Sequence, residues 1–514
     1  MKPHKVRLAL TVALGGAVMC STAMRAAAQT PVSSDPLTRD EVKFARIYTI
    51  LKRNAMDPVD PDHAILDGGI RGMLSVLDPF STFLDKFQFT QLEEETRGEA
   101  PGFGSVLYVQ AGNVLVLETA PGSPSWRAGL GPGDEILKVN GISLDTLDLR
   151  SLIELLRRSR SHPVSLSVLQ AGKDVAQDFH LNPANVPMPT VDESMKFVRS
   201  DVGYLHLTGF EEKTPEEVAT AIERMGGNKL KGIIFDLRDN HGGLVAAAVA
   251  VAGLFLKPDS LVLTIEGRAV PKKLYRTQAG PVHFNMPMIV LVNGQTASAA
   301  EVLTATLQDH DRAVIAGEPT YGKGVVESVM PLSDSMGMAL ITAQYFTPSG
   351  RSIQRPLPGT ELGASLELQR GELFHTDDGR TVAAGGGITP DVKIPARKLD
   401  EWELFLDETG EFTRFAEIYL NLNGKAPESF HPTAATLEAF KNYLQREGVR
   451  TPAKYWDADQ SYLKLRIRME LTNLEFGLNK GNELETRHDP LVLKALALLP
   501  SVPQLLRGPK TAAR

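Results

Sequence analysis

The chain has 514 residues, 42% hydrophobic and 23% charged. That is an ordinary soluble composition, with room for three or four domains of roughly 100–200 residues each. Its net charge is −7 and it has no basic tract, which argues against nucleic acid as a partner. The single cysteine, Cys20, leaves no disulfide framework and no Cys-based metal site.

Lys2, Lys5 and Arg7 precede an apolar run at 8–18, and Ala26-Ala27-Ala28 before Gln29 makes a small-residue cleavage site. The run is shorter than the roughly 20 residues that span a bilayer. Residues 1–28 are therefore expected to be a signal peptide rather than a membrane span. Met19 is a poor lipoprotein-type neighbour for Cys20, so no lipid anchor is expected. Cys20 would leave with the peptide, which excludes a Cys nucleophile. The expected address is the periplasm or cell envelope.

Thr38-Arg39-Asp40-Glu41 reads as a capping box opening a helix, with Val42, Ala45, Tyr48 and Leu51 on one face. Asp60 and Pro61 suit the N-cap and first position of a second helix, with Leu66, Ile70, Met73, Leu74 and Leu77 inside. An N-terminal helical segment is predicted over 29–93.

From 94 to 190 the pattern changes to short strands and turns. GFGSVLYV at 102–109 comes first, then GNVLVLETAPGSPSWRAGLGPGDEILKVNG at 112–141, a helix near 147–158 and a strand near 164–169. Gly102, Phe103 and Gly104 form a glycine-permissive loop whose N–H groups can hold a terminal carboxylate. Phe103 and Val106 are expected to line an apolar pocket with the helix around Leu152 and Leu156. The G-F-G word combined with A-G-L-x-P-G-D-E-I-L-x-V-N-G resembles a PDZ domain, which recognises peptides by strand addition.

A third domain is predicted over 191–398. Residues 203–210 alternate like a strand, 215–225 read as a helix and 231–237 as a buried strand. His241-Gly242-Gly243 then leads into an Ala- and Val-rich helix at 244–255. The apolar strand 288–292 is broken by Asn293, Gly294 and Gln295. A helix follows with Ala299, Val302, Leu303, Thr306 and Leu307 on one face and Ser298 in its first turn. A strand at 313–316 leads to the loop 317–324, which carries Lys323. A strand at 339–346, an insertion at 355–386 with a hairpin at Asp378-Gly379 and a closing strand within 387–395 complete the domain. The alternation predicts a multidomain α/β protein whose sheet is covered on both faces. Residues 399–514 read as a helical packing or oligomerisation region. Phe412, Phe415, Ala416 and Tyr419 mark one helix, Leu437, Phe440 and Leu444 a second, and Leu463, Ile467, Leu471 and Leu474 a third.

A serine at a helix start after a strand lies beside unpaired N–H groups that can stabilise an oxyanion. It needs a base, and a desolvated lysine can serve. On these two residues alone the plainer reading prevails: a helix-start serine is usually a cap, and a lysine in a Gly-rich loop is usually solvated. The surrounding words change this. TASAAE at 296–301, QD at 308–309, GEPTYGKG at 317–324, YFTPSGRSIQ at 345–354, DLRDNHGG at 236–243 and MLSVLDPFSTFLD at 73–85 closely resemble the carboxy-terminal processing peptidases, or tail-specific proteases. The words occur in that family's order over most of the chain.

The resemblance implies a ClpP/crotonase-like α/β core. It implies Ser298 as nucleophile and Lys323, 25 positions later, as general base. The Ala299 N–H is an expected oxyanion donor, and a second is expected from the turn at Gly242 and Gly243. The expected substrates are polypeptides with free C-terminal tails. Whether the enzyme works as a homo-oligomer or with an adaptor protein stays open. His63, His283 and His375 show no ligand spacing, so no metal or other cofactor is expected. The chain departs from the family twice. His241 stands in a word that is usually N-P-G-G. A Ser-His-Asp arrangement using His241 or His310 with Asp309 or Asp236 is therefore an alternative, as is a non-catalytic PDZ scaffold. Glu327 stands where the family has a glutamine that orients the lysine. An ionised glutamate within about 4–6 Å favours the charged form of a lysine.

Overall fold

The computed structural model describes residues 36–507 apart from 198–200, 281–282, 334, 361, 363–368, 370 and 459. The expected signal peptide lies outside the described residues. The described residues fall into two units, one ending at Ile70 and one beginning at Arg71.

The first unit holds the helix Pro36–Asn54 and a π-helix, His63–Ile70. The first helix begins two residues before the expected cap, so Thr38 lies inside it. Proline's fixed φ suits a first helical turn, and Pro36 takes that place. Asp60 does cap the next turn, its Oδ1 accepting the His63 N–H at 3.0 Å.

The second unit is built on a six-stranded sheet. Its order is Val191–Phe197, Val202–Leu207, Gly232–Asp236, Met288–Val292, Val314–Gly317 and Val392–Lys393. The first pair is antiparallel and the rest are parallel. Gly232–Asp236, Met288–Val292 and Val314–Gly317 are buried at every residue, as parallel strands covered on both faces must be. Alternate residues feed two cores. Phe235, Val290, Val292 and Ile315 pack with the helices Thr214–Met225, Val245–Gly253 and Ala299–Asp309. Ile234, Ile289, Leu291, Val314 and Ala316 pack with Leu491, Val492, Ala495, Leu499 and Val502. The end of the C-terminal helical region therefore belongs, by packing, to the six-stranded sheet. The approach is close enough that a Cβ on Gly232 would lie 2.3 Å from Leu499 Cδ2.

A second sheet carries Thr82–Leu84, Met336–Phe346, Leu261–Glu266 and Lys273–Arg276 in that order, with Val325–Ser333 also paired to Met336–Phe346. Beside it the expected hairpin forms, Leu373–His375 against Thr381–Ala383.

The β-rich domain pairs Ser105–Gln110, Asn113–Thr119, Glu135–Val139, Val164–Leu169 and Gln177–Leu181, with Ser105–Gln110 at the edge. The run 102–109 is not one strand. It breaks at Phe103-Gly104, where Gly104 has φ 75°, and Glu99–Gly102 pairs instead with Ala184–Pro187. Val114 and Val116 face this domain's own core. Leu115 between them enters the aromatic core of the C-terminal helices, with Phe412, Phe415 and Phe440. That alternation is the period of two that a strand imposes. Gln110 Nε2 donates to the Thr409 carbonyl at 2.5 Å across the same junction. Among the described residues no helix is long and apolar enough to cross a membrane.

Leu499 is 4% exposed and lies in the core shared with the six-stranded sheet. Leu499→Ala should lower the unfolding free energy by about 2–5 kcal/mol. Denaturant titration should show this as an earlier midpoint for loss of the sheet. An unmoved midpoint would mean that the last helices stand apart from it.

Candidate active site

The strand Met288–Val292 ends in a turn that its own side chains hold. Asn293 Oδ1 accepts the N–H groups of Gln295 and Asp239, each at 3.1 Å. The Thr296 hydroxyl donates to the Leu237 carbonyl at 2.8 Å, and the Ala297 N–H to the Asn240 carbonyl at 2.9 Å. These bonds place Ser298 at φ 54°, ψ −119°. A positive φ is unfavourable for a non-glycine residue, and such strain costs about 1–3 kcal/mol. It persists because the flanking turn and the wholly buried helix Ala299–Asp309 fix both sides.

Ser298 lines a cavity of about 740 Å³ together with Lys323, Glu327, His241, Gly242, Gly243 and Ala299. The helix Lys86–Arg97 supplies another wall through Phe89 and Leu92. Gly242 cannot carry a side chain, since a Cβ there would lie 2.8 Å from both Ser298 Cβ and the Ala299 nitrogen. Its N–H is already taken, donating to Asn240 Oδ1 at 2.9 Å. Gly243, the other glycine of the expected turn, lines the cavity with Ala299.

Lys323 sits in the loop that follows the strand Val314–Gly317. Its Nζ donates to Glu327 Oε2 at 2.7 Å and lies 4.9 Å from the centre of the Phe80 ring. The Lys323 side chain is 18% exposed and that of Glu327 31%, so this is a partly desolvated ion pair and not a solvated surface contact. The lysine loop and the serine turn share a buried acceptor, Glu301. Its Oε2 accepts the N–H groups of Ser298 (3.0 Å) and Lys323 (2.9 Å). Its Oε1 accepts the Gly322 N–H (2.7 Å) and the Thr320 hydroxyl (2.5 Å). Complete burial pushes the Glu301 carboxyl above its ordinary range, and the four donors pull it back towards the ionised form.

Several of these partners were not foreseen from the sequence. Glu301 stands three residues after Ser298, the spacing of a capping box, so a signal for it was present. Phe80, Phe89, Glu211 and Tyr345 reach the site only through tertiary folding.

The other histidine-based arrangement is not assembled. His310 Nδ1 bonds Asp377 Oδ2 (2.8 Å) and Nε2 bonds the Leu261 carbonyl (2.7 Å). Asp309 is buried and accepts from the Thr347 hydroxyl, the Ser349 N–H and Arg351, a structural role at the helix end. Asp236 accepts the Tyr204 hydroxyl and pairs with Arg238. His241 reaches the cavity without either of these carboxylates.

In the β-rich domain, the carbonyls of Phe103 and Gly104 accept the N–H groups of Ser125 and Ala120. A Cβ on Gly104 would lie 2.3 Å from Ser123 Cβ, so the turn requires glycine. Gly102 ends the strand paired to Ala184. Phe103, Leu107, Leu155 and Leu156 pack against the domain core, whereas Val106 is half exposed. A bulge between Val106 and Leu107 shifts the alternation, so Leu107 is the one that packs on the core.

Glu211 lies on the cavity wall. Burial, then repulsion from Glu95, Glu212 and Glu217, pushes its carboxyl up from 4.5 to about 7. The folded state therefore binds this proton more tightly than the unfolded chain does. Its contribution to stability is complete below about pH 4.5 and is lost as pH rises through about 7. Glu211→Gln should flatten that part of the decline, read from denaturation midpoints between pH 5 and 8. An unchanged slope would show that Glu211 does not titrate there.

The chain matches peptidase family S41 over residues 201–362 and the PDZ domain over 115–170. It is 32% identical over 330 residues to the carboxy-terminal-processing protease of Bartonella bacilliformis, covering 61% of this chain and 75% of that one. It is 35% identical over 291 residues to the carboxyl-terminal-processing protease of Synechocystis, covering 56% and 68% respectively. It is 30% identical over 358 residues to carboxy-terminal processing protease CtpA of Bacillus subtilis, covering 70% and 75%. The S41 match spans both Ser298 and Lys323, and with these relatives it shows that the chain belongs to the carboxy-terminal processing proteases, serine-type S41 peptidases that carry a PDZ domain.

Proposed function

We propose that this protein is an exported endopeptidase of the periplasm or cell envelope. Its PDZ domain takes up the C-terminal tails of polypeptides through the loop Gly102-Phe103-Gly104, and Ser298 cuts them with Lys323 as base. The observation that carries this reading is the pairing of a strained serine at a helix start with a partly buried lysine on one cavity, their backbones joined through Glu301.

In this mechanism an uncharged Lys323 takes the Ser298 Oγ proton as Oγ attacks the scissile carbonyl. The N–H groups of Gly243 and Ala299 receive the oxyanion. The Lys323 ammonium then gives its proton to the leaving amine. Lys323 next removes a proton from water, which attacks the ester carbonyl, and returns that proton to Ser298 Oγ as the C–Oγ bond breaks and the acid product leaves. The Lys323 nitrogen is engaged by Glu327 at 2.7 Å, so this contact is a resting arrangement from which the lysine must part.

The test uses purified protein and unfolded casein. Ser298→Ala should abolish degradation and labelling by a fluorophosphonate. Lys323→Ala should lower the rate about 10²–10⁴-fold, the range of a lost general base. His241→Ala should leave the rate within a few-fold. Loss with His241→Ala but not with Lys323→Ala would install the serine–histidine reading. A folded wild-type protein with neither activity nor labelling would be a binding scaffold.

Glu327→Gln replaces the charge and leaves the shape. It should retain or raise activity in casein degradation, because the contact that competes for the Lys323 nitrogen is weakened. Complete loss of activity in a folded variant would show that the carboxylate itself is required.

A further inference from the structure

We propose that Tyr345 is a positioning residue of the peptidase reaction: its hydroxyl fixes the separation of the Ser298 turn and the Lys323 loop by bridging their main-chain carbonyls. The proposal rests on the reading of Ser298 and Lys323 as nucleophile and base.

The Tyr345 hydroxyl lies 2.9 Å from the Lys323 carbonyl oxygen and 3.3 Å from that of Ser298. One O–H is shared between two acceptors, with the lysine loop at the shorter distance. The same residue's N–H donates to the Gly324 carbonyl at 3.0 Å, so Tyr345 holds the lysine loop at two consecutive peptides. The side chain is 2% exposed and borders the cavity. Its own place is rigid, because it sits in the strand Met336–Phe346, paired to Ile265. Burial, and then the charge of Glu301, raise its phenol well above the ordinary range, so it stays a neutral donor.

Glu301 and Tyr345 divide the work between the two backbone ends of each residue. Glu301 gathers the N–H groups of Ser298 and Lys323, and Tyr345 gathers their carbonyls. With both ends gripped, neither residue can rotate or slide independently of the other. The side chains inherit that constraint. Lys323 also has a competing partner, Glu327, at 2.7 Å. A loop free to drift by about 1 Å would give up as much as 10²-fold in rate and would leave the lysine with Glu327.

Tyr345→Phe removes only the hydroxyl. Against a quenched peptide substrate, kcat should fall about 10–100-fold while KM changes less than about 3-fold, as expected when reacting groups are misplaced but binding is kept. The rise of kcat/KM with pH should shift to higher pH, and fluorophosphonate labelling of Ser298 should slow in proportion. A lower Tm with kcat and pH profile unchanged would make the hydroxyl merely structural and overturn the proposal. Ser298→Ala and Lys323→Ala are run beside it. If either keeps its activity, the dyad reading fails; if both are inactive and Tyr345→Phe behaves as wild type, only the positioning role fails. Should Tyr345→Phe not fold, hydrogen exchange on the wild-type chain decides. A common opening of the segments 298–302 and 322–324 supports the bridge, and openings that differ more than about 10-fold overturn it.

Discussion

The arrangement around Ser298 depends on one buried carboxylate. Glu301 has no exposure and would be strongly disfavoured there without partners. Four donors from two stretches of chain, 298 and 320–323, converge on it. Thr320 passes the constraint on, since its oxygen also accepts the Ile388 N–H at 2.6 Å. The closing segment of the peptidase domain is thus tied to the same point. The helix Ala299–Asp309 is buried at every residue, which leaves Glu301 no route to solvent and the converging loops no alternative acceptor of equal strength.

The parallel sheet sets the positions from which those loops start, and the C-terminal end of the chain helps to brace it. Arg238 lies between Asp236 at a strand end and Asp489 at the start of the helix Pro490–Leu498, the latter at 2.7 Å. Two residues on, Asn240 uses its side chain twice, donating to the Leu207 carbonyl and accepting the Gly242 N–H. The turn facing Ser298 is therefore built from outside the site, by side chains that never face the cavity. On the other side, the PDZ sheet is held between its own core and the aromatic core of the C-terminal helices, through the alternation of Val114, Leu115 and Val116.

Much of this was legible in the sequence because it is local. Strands 288–292 and 313–316 are unbroken apolar runs, the first followed by a helix and the second by a Gly-rich loop, so the α/β core and the places of Ser298 and Lys323 were readable. What the sequence did not show is tertiary detail: the Asn240 side chain accepts the Gly242 N–H, and a bulge falls between Val106 and Leu107. Val325–Ser333 contains Glu327 and Pro331 and has mostly half-exposed or exposed residues, so it lacks the apolar signature of a strand. The run 490–505 is visibly helical, but nothing local says that its partner is a sheet some 200–300 residues earlier. The segment 78–97, with Phe80, Phe89 and Leu92, carried family words but no hint that it walls the cavity.

The setting of Lys323 has a consequence for the life of the chain before it is folded. Phe80, under the ammonium, is held by Asp78, whose Oδ1 accepts its N–H at 2.7 Å. Ser81 is tied to the same carboxylate and also accepts the Ile341 N–H at 3.1 Å. The surroundings of the lysine are thus drawn from residues about 80, 300, 325 and 345, and contacts so far apart in sequence close late in folding. A nascent chain holds all these groups but none of their geometry. Hydrolytic power is a property of the finished fold, so the polypeptide passes through its own most cleavable states without an active copy of itself in the same molecule.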